Sequence, residues 1–272
     1  MADADQAGTA FREGRLDDAV AAASAAVKAK PTDLAARVRL AEMLLLAGNL
    51  ERADVLLDAA GQLDPSASLI VAEFRQLLRA DMARRQLFRD GRVPEFLDTP
   101  SPAEQHLLAC LVAMRAGDYS AAAEAATAAE AARAATPGVH EGGQSDNGAF
   151  DDFRDASDDL GGVLEILTTT GKYYWIPLAR IEEIMFHKPT RPRDLAWRRA
   201  SISVNQGPDG DVYVPVTYFS DDAALGAAYR LGRATDWMDH DGVVTGVGQR
   251  EFLVGDASVP IMELGTLRFG PK

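Results

Sequence analysis

One cysteine stands among 272 residues, so no internal disulfide can hold this fold together. That thiol, Cys110, lies in His-Leu-Leu-Ala-Cys-Leu-Val-Ala, which reads as a helix interior and favours a buried structural role over a reactive one. Long apolar runs are also missing: none approaches the ~20 residues that a membrane span requires. Asp3 and Asp5 stand where a secretory leader would carry bases, and a cytoplasmic protein is expected. Positive charge is scarce. With 28 bases against 41 acids the formal net charge is −13, which repels phosphate backbones and argues against nucleic acid as a partner unless a basic face is segregated. What is plentiful is apolar content, at 47%, enough for a sizeable core in one large or two modest domains.

The apolar residues recur in order. Gly14, Ala19, Ala26 and Pro31 return as Gly48, Ala53, Ala60 and Pro65, each displaced by 34 positions, the tetratricopeptide period. The residue types fit the mechanics of that repeat. Glycine permits the tight turn between two antiparallel helices, the alanines let them approach closely, and proline stops the second helix. Leu34, Val38, Met43, Leu45 and Leu46 give residues 34–46 a broad apolar helical face. Gly117-Asp118-Tyr119, followed by Ala122 and Ala129, echoes the pattern, with Pro137 three residues late. Residues 68–88 read as a further helix, and Ser101-Pro102 with Glu104 as a helix start.

Periodicity stops near residue 135. Residues 136–148 are rich in turn formers and read as a linker. Beyond it, residues 163–168 and 172–176 look like two strands around Thr169–Gly171. Pro177 then suits the first turn of a helix carrying Ile181, Ile184 and Met185 on one face. Residues 200–205 and 211–216 flank Gly-Pro-Asp-Gly, a hairpin turn signal, and residues 250–254 and 259–264 flank Gly255-Asp256. The expected architecture is α + (α+β): tetratricopeptide-like helices over 1–135, a linker over 136–148, and a strand-rich, mainly antiparallel α+β domain over 149–272.

Catalytic and metal-binding patterns fare poorly. His106, His140, His187 and His240 are far apart, with no pair at zinc-ligand spacing, and His240 in Met-Asp-His-Asp suits a solvated acidic turn. A calcium loop starting at Asp155 would use Ser157 and Asp159, but Leu160 stands where glycine is needed and Ile166 where the bidentate glutamate belongs. In Gly246-Val-Gly248-Gln-Arg-Glu251 the third glycine of a dinucleotide fingerprint is Glu251, ahead of a strand instead of a helix. No enzyme, cofactor or metal is expected. Two basic clusters remain. Arg75, Arg79, Arg84, Arg85, Arg89 and Arg92 face only Asp81 and Asp90, while Lys188, Arg191, Arg193, Arg198 and Arg199 surround Asp194 and Trp197. Each is either a solvated face or a docking surface for an acidic partner.

Five phrases in the second half, in order, resemble the ImpE/TagJ proteins of type VI secretion clusters. They are Asp158-Asp-Leu-Gly-Gly-Val-Leu-Glu165, Gly171-Lys-Tyr-Tyr-Trp-Ile-Pro177, Arg193-Asp-Leu-Ala-Trp197, Leu231-Gly-Arg-Ala-Thr-Asp-Trp237 and Gly246-Val-Gly-Gln-Arg250. The resemblance implies a non-catalytic accessory role around the contractile sheath. The implied partners are the small sheath subunit and the ClpV-type ATPase that dismantles contracted sheaths. Stacked helix pairs would offer a groove for a helical or extended segment. Arg84, Arg85, Arg193, Arg198, Arg233 and Arg250 are the partner-binding candidates, though charge pairs that brace the fold would explain them equally. Trp175 and Trp237 are expected in the core. A tetratricopeptide co-chaperone binding an acidic tail and a hydrolase or transferase hidden in the second half are the alternatives.

Overall fold

The computed structural model describes residues 2–63, 68–144, 148–222 and 224–270. Seven helices come first: α1 (Ala2–Arg12), α2 (Leu16–Ala29), α3 (Leu34–Leu46), α4 (Leu50–Leu63), α5 (Ser68–Asp90), α6 (Pro102–Ala116) and α7 (Tyr119–Ala132). The 34-residue repeat is visible in their turns. Gly14 and Gly48 both take positive φ (77° and 81°), a region that costs glycine nothing, and Ala19 and Ala53 are wholly buried where helices meet. Pro65, the proline expected to end α4, lies outside the described residues. Asp33 caps α3 by accepting from Ala36 N–H, and Ser101 and Glu104 form a reciprocal capping box on α6. Among the described residues no helix is long and apolar enough to cross a membrane.

The second half is built on an eight-stranded antiparallel sheet in the order β2-β1-β13-β6-β7-β8-β4-β5. Its strands are β1 (Gly138–Glu141), β2 (Gly148–Phe150), β4 (Val163–Leu167), β5 (Tyr173–Pro177), β6 (Ile181–Phe186), β7 (Trp197–Val204), β8 (Gly210–Pro215) and β13 (Thr266–Phe269). A three-stranded sheet, β12-β11-β3, joins β3 (Phe153–Asp155), β11 (Glu251–Val254) and β12 (Ala257–Pro260). A separate ribbon pairs β9 (Thr235–Asp239) with β10 (Val244–Gly248), and a short helix α8 (Ala227–Arg230) precedes it. The expected hairpins β4–β5, β7–β8 and β11–β12 all form.

Two expectations are corrected. Residues 181–186 are a strand, not a helix. A bulge between Ile181 and Glu183 shifts the alternation, so Ile181 and Ile184 are both buried while Met185 is exposed; three-residue spacing then imitates a helical face. The span 136–148 is not simply a linker either, because Gly138–Glu141 forms β1 between β2 and β13. Ser145–Asn147 of that span lie outside the described residues.

The eight-stranded sheet is the middle layer of three. All five residues of β4 are buried, as expected of a strand covered on both faces. Val163 and Leu167 join a core with α3, α5, Trp175 and Trp197, while Leu164 and Ile166 join a second core with Phe153, Phe252 and Val259 of the smaller sheet. Period-two alternation therefore points Glu165 toward the helices. The inner face of the helix stack is filled by the chain itself. Leu40–Leu46 are buried without interruption on α3, and Trp197 meets Phe74 of α5 edge-on at 5.9 Å. The open groove expected along the repeats is thus occupied by the second half.

Candidate functional site

Where helices and sheet meet, four charged side chains are locked together and buried. Arg84, on the buried face of α5, donates from Nε to Glu165 Oε1 at 2.7 Å and from Nη2 to Oε2 at 3.0 Å. Arg250 reaches the same carboxylate from the other side through Nη1 (3.0 Å) and also holds Asp155 Oδ2 through Nε (3.0 Å) and Nη2 (2.5 Å). Tyr173 donates its hydroxyl to Glu165 Oε1 at 2.6 Å and accepts the Trp175 indole N–H, also at 2.6 Å. Tyr218 donates to Asp155 Oδ1 at 3.0 Å. Asp155, Glu165 and Arg250 are fully buried and Arg84 nearly so. Burial alone would push the Glu165 carboxyl up, but Arg84 and Arg250 outweigh it and hold that group below its ordinary value.

Each oxygen of Glu165 therefore accepts two hydrogen bonds. A carboxylate so engaged has no lone pair free for proton transfer, and its work is to tie α5 to the sheet. Asp159, close by, behaves differently. Burial lifts its carboxyl to about 6 against the hydrogen bond from Ser157 Oγ (2.5 Å), and the charges of Asp155 and Glu165 lift it further. The residues that would have begun a calcium loop, Asp155, Ser157 and Asp159, all face inward. Among the described residues no three of His, Cys, Asp and Glu gather so as to hold a metal ion. Cys110 is buried, and that burial pushes its thiol up to about 12.

The six arginine candidates are scattered. Arg84 and Arg250 belong to the buried cluster. Arg193 is 2% exposed, donates to Glu73 Oε1 at 2.7 Å, covers the Phe74 ring at 4.9 Å, and has its cationic form disfavoured by burial and by Arg191. Arg198 is buried as well. It donates to the carbonyls of His187, Ile261 and Leu264, and desolvation lowers its pKa to about 10. Burial removes Arg193, Arg198 and Arg250 from a docking surface, while Arg84, 4% exposed, reaches only the wall of a cleft at the domain seam. Arg233 is exposed but engaged, donating to the Phe11 and Arg12 carbonyls at the end of α1. Of the tryptophans, Trp175 is in the core as expected, whereas Trp237 is 38% exposed on β9.

Of the six candidates, Arg85 lines an open cleft without being buried. A cleft of about 250 Å³ lies on the seam between the C-terminal end of α3, the middle of α5 and the segment 217–230. Its cations are Arg84, Arg85, Arg89 and Arg230, and its carboxylates Asp81, Asp221 and Asp222. Arg89 donates to Asp221 Oδ1 at 2.6 Å and lies over Phe219, which itself stacks on Phe88 at 4.9 Å. Arg85 donates to the Gly48 carbonyl at 3.3 Å. Arg89 belongs to the basic cluster read from the sequence, whereas Arg230 was missed; it follows Ala-Ala-Tyr in a segment with no run of bases to mark it. Glu165 and Asp155 were missed too, although one carboxylate inside Val-Leu-Glu-Ile-Leu was a readable sign of a buried partner.

Residues 147–268 match the family model described as ImpE protein, and residues 10–73 match a tetratricopeptide repeat model. The chain is 31% identical over 266 residues to the type VI secretion system accessory component TagJ of Pseudomonas aeruginosa, covering 96% of this chain and 90% of that one. It also superposes on the crystal structure of a Vibrio parahaemolyticus protein with a TM-score of 0.89, at 28% identity and over 98% of each chain.

Proposed function

Since this chain belongs to the ImpE/TagJ family, we propose that it is a non-catalytic, cytoplasmic adaptor of a bacterial type VI secretion system. In this reading it binds the small contractile-sheath subunit and links it to sheath disassembly by the ClpV-type ATPase. The observation that carries the reading is likeness over the whole chain: both halves, in the same order, are shared with a relative named as an accessory component of that system. The geometry supports an adaptor in a second way. Helices and sheet are cross-braced by Arg84, Glu165 and Arg250, so a partner at the seam contacts two domains held in fixed relation. The ionisable groups at the centre satisfy one another and are sealed from substrate, an arrangement suited to bracing.

Because the repeat groove is filled by the chain's own second half, partner contact is assigned to the seam cleft and the outer faces. Calorimetric titration of the full chain with the cognate small sheath subunit tests the reading. Saturable binding at micromolar or tighter affinity is expected. Silence with the intact subunit, alongside binding to the ATPase, would remove the sheath step and leave the ATPase as the partner; silence with both would overturn the adaptor.

A further inference from the structure

The β9–β10 ribbon has one closed edge and one open edge. Asp241-Gly242 turns it with both residues at positive φ (53° and 104°), and the His240–Val243 backbone pair sets the hydrogen-bond phase. Asp236 and Met238 therefore bond toward β10, while the backbone groups of Thr235, Trp237 and Asp239 point the other way. On the β10 side the outward groups are answered. Val244 N–H donates to Asp158 Oδ2 (2.8 Å), Gly246 N–H donates to Ser157 Oγ (3.1 Å), and the Val244 and Gly248 carbonyls accept from the Asp158 and Tyr218 N–H groups. On the β9 side, among the described residues, no other strand pairs with Thr235, Trp237 or Asp239. The Trp237 N–H is held by the carboxylate of its own neighbour Asp236, at 2.8 Å. Residues 236–239 are all exposed, Trp237 at 38% and Met238 at 52%. Folds blunt a bare edge with a bulge, a proline, a covering element or charge; β9 has only charge, and all of one sign.

We propose that β9 accepts an extended, basic segment of a partner polypeptide as a further strand. Charge selects the occupant. Residues 235–248 carry Asp236, Asp239 and Asp241 and no lysine or arginine. Among the described residues no base pairs with these carboxylates; Asp236 and Asp239 hold only the Trp237 and Gly242 N–H groups. A second copy would bring the same three carboxylates to the edge, on a chain already at −13, so self-pairing is disfavoured. Lysine or arginine across from Asp236 and Asp239 makes a favourable cross-strand pair instead. Trp237 leans on the Tyr218 ring (5.9 Å) on one face of the ribbon, and alternation puts Met238 on the other. Each face thus offers an apolar side chain to an apolar residue of the incoming strand. Backbone pairing supplies affinity, and the side-chain rows supply selection. The edge chemistry stands on the ribbon alone; that the segment belongs to a sheath or ATPase component rests on the adaptor reading.

The test titrates the isotopically labelled full chain with a capped peptide of alternating lysine and valine, followed by amide NMR and hydrogen exchange. Two controls accompany it. One replaces lysine by glutamate; the other is the lysine peptide N-methylated at every residue, which keeps its charge and loses its backbone donors. Saturable shifts centred on residues 235–239 are expected, with exchange of the Trp237 and Asp239 amides slowed at least about tenfold. Both controls should bind at least about tenfold more weakly. No saturation at millimolar peptide, or shifts centred elsewhere, overturns the site. Equal binding of the N-methylated peptide overturns strand pairing, and equal binding of the glutamate peptide overturns the charge assignment. Concentration-dependent protection of the same amides in the free chain would give the edge to a second copy and overturn the proposal. Asp236→Lys combined with Asp239→Lys, both at exposed positions, should exchange the preference between the lysine and glutamate peptides; an unchanged preference counts against the charge assignment. A sheath-subunit titration then separates the two claims. Peptide pairing at β9 with subunit and ATPase both silent keeps the edge and sinks the adaptor, while subunit binding without peptide pairing does the reverse.

Discussion

The two halves of this chain are held together by different physics. In the helical half the closest contacts are made by alanine: Ala19, Ala53, Ala60 and Ala122 are wholly buried, and stability accrues from many small apolar increments. In the second half the centre is occupied by charge. Arg250, Asp155 and Glu165 are as buried as any leucine, and their contributions stand or fall together. The first arrangement is generic and tolerates drift. The second is specific, because each member is harmless only while its partners are present. A chain that must hold two domains in one orientation gains from placing the specific arrangement at their junction.

The sharpest way to break this contrast is to remove the shared carboxylate. Glu165→Gln leaves Arg84 and Arg250 facing one neutral amide, and a loss of about 3–5 kcal/mol in unfolding free energy is expected by urea titration. A loss below about 1 kcal/mol would mean that the cluster is not bracing the junction.

Proton linkage separates carboxyl groups that sit close together. Asp159, lifted to about 6 by burial, keeps its proton in the folded state over a window where the unfolded chain, near 3.9, has lost it. Its contribution is therefore complete below about pH 4 and disappears as pH rises through 6. Asp159→Asn should gain on the parent chain across that window, by on the order of 2–3 kcal/mol, and hold the gain at higher pH. Asp152 has the opposite sign. Burial works to raise it, but the hydrogen bond from Arg133 and those from the Thr136 and Phe153 backbone bring it to about 2, so its support fades as pH falls toward that value. Stability curves from pH 3 to 8 for both chains check the assignment, and a flat difference between them would refute it.

In the helical half the comparable injury is steric. Ala53 is wholly buried at the helix crossing, and Ala53→Leu should cost about 1–3 kcal/mol through overpacking while leaving the pH dependence unchanged. A change in the acid limb of the stability curve would show that the halves are not separable in this way.

These differences also explain what could be read from the sequence. The helices were legible because their signals are local: a 34-residue repeat, the Ser101–Glu104 box, glycines at turns. Three hairpins were legible for the same reason. The strand β6 was misread because its bulge moved two isoleucines onto one face at helical spacing. The four residues of β1 carry too short a pattern, and Gly138, which looked like punctuation, is required because a Cβ there would lie 2.2 Å from the Arg268 carbonyl oxygen. Similarly, Gly246 lets β10 pass the Tyr218 ring, which a Cβ would meet at 2.0 Å. The buried cluster was the least legible. Arg84 finds Glu165 81 positions away and Arg250 finds Asp155 95 away, so no local pattern separates a bracing arginine from a docking one.

The smallest effect concerns the second tie between the halves, and it tests whether the junction is one brace or two. Arg233 donates to the carbonyls of Phe11 and Arg12 and lies over the Phe11 ring at 5.6 Å, so a residue of the second half closes the last turn of α1. The Phe11 carbonyl also accepts from Gly14 N–H at the turn, so Arg233 adds a second donor there, and a cation at this end meets the favourable pole of the helix dipole. The side chain is exposed, which keeps the contribution small: Arg233→Ala should cost about 0.3–1 kcal/mol. Its signature is local. Hydrogen exchange should quicken in α1 and in the turn at Gly14, and stay unchanged in α5 and β4, where the buried cluster holds. Acceleration spreading into α5 would mean that the first repeat is carried by the junction as a whole, and that the two ties act as one.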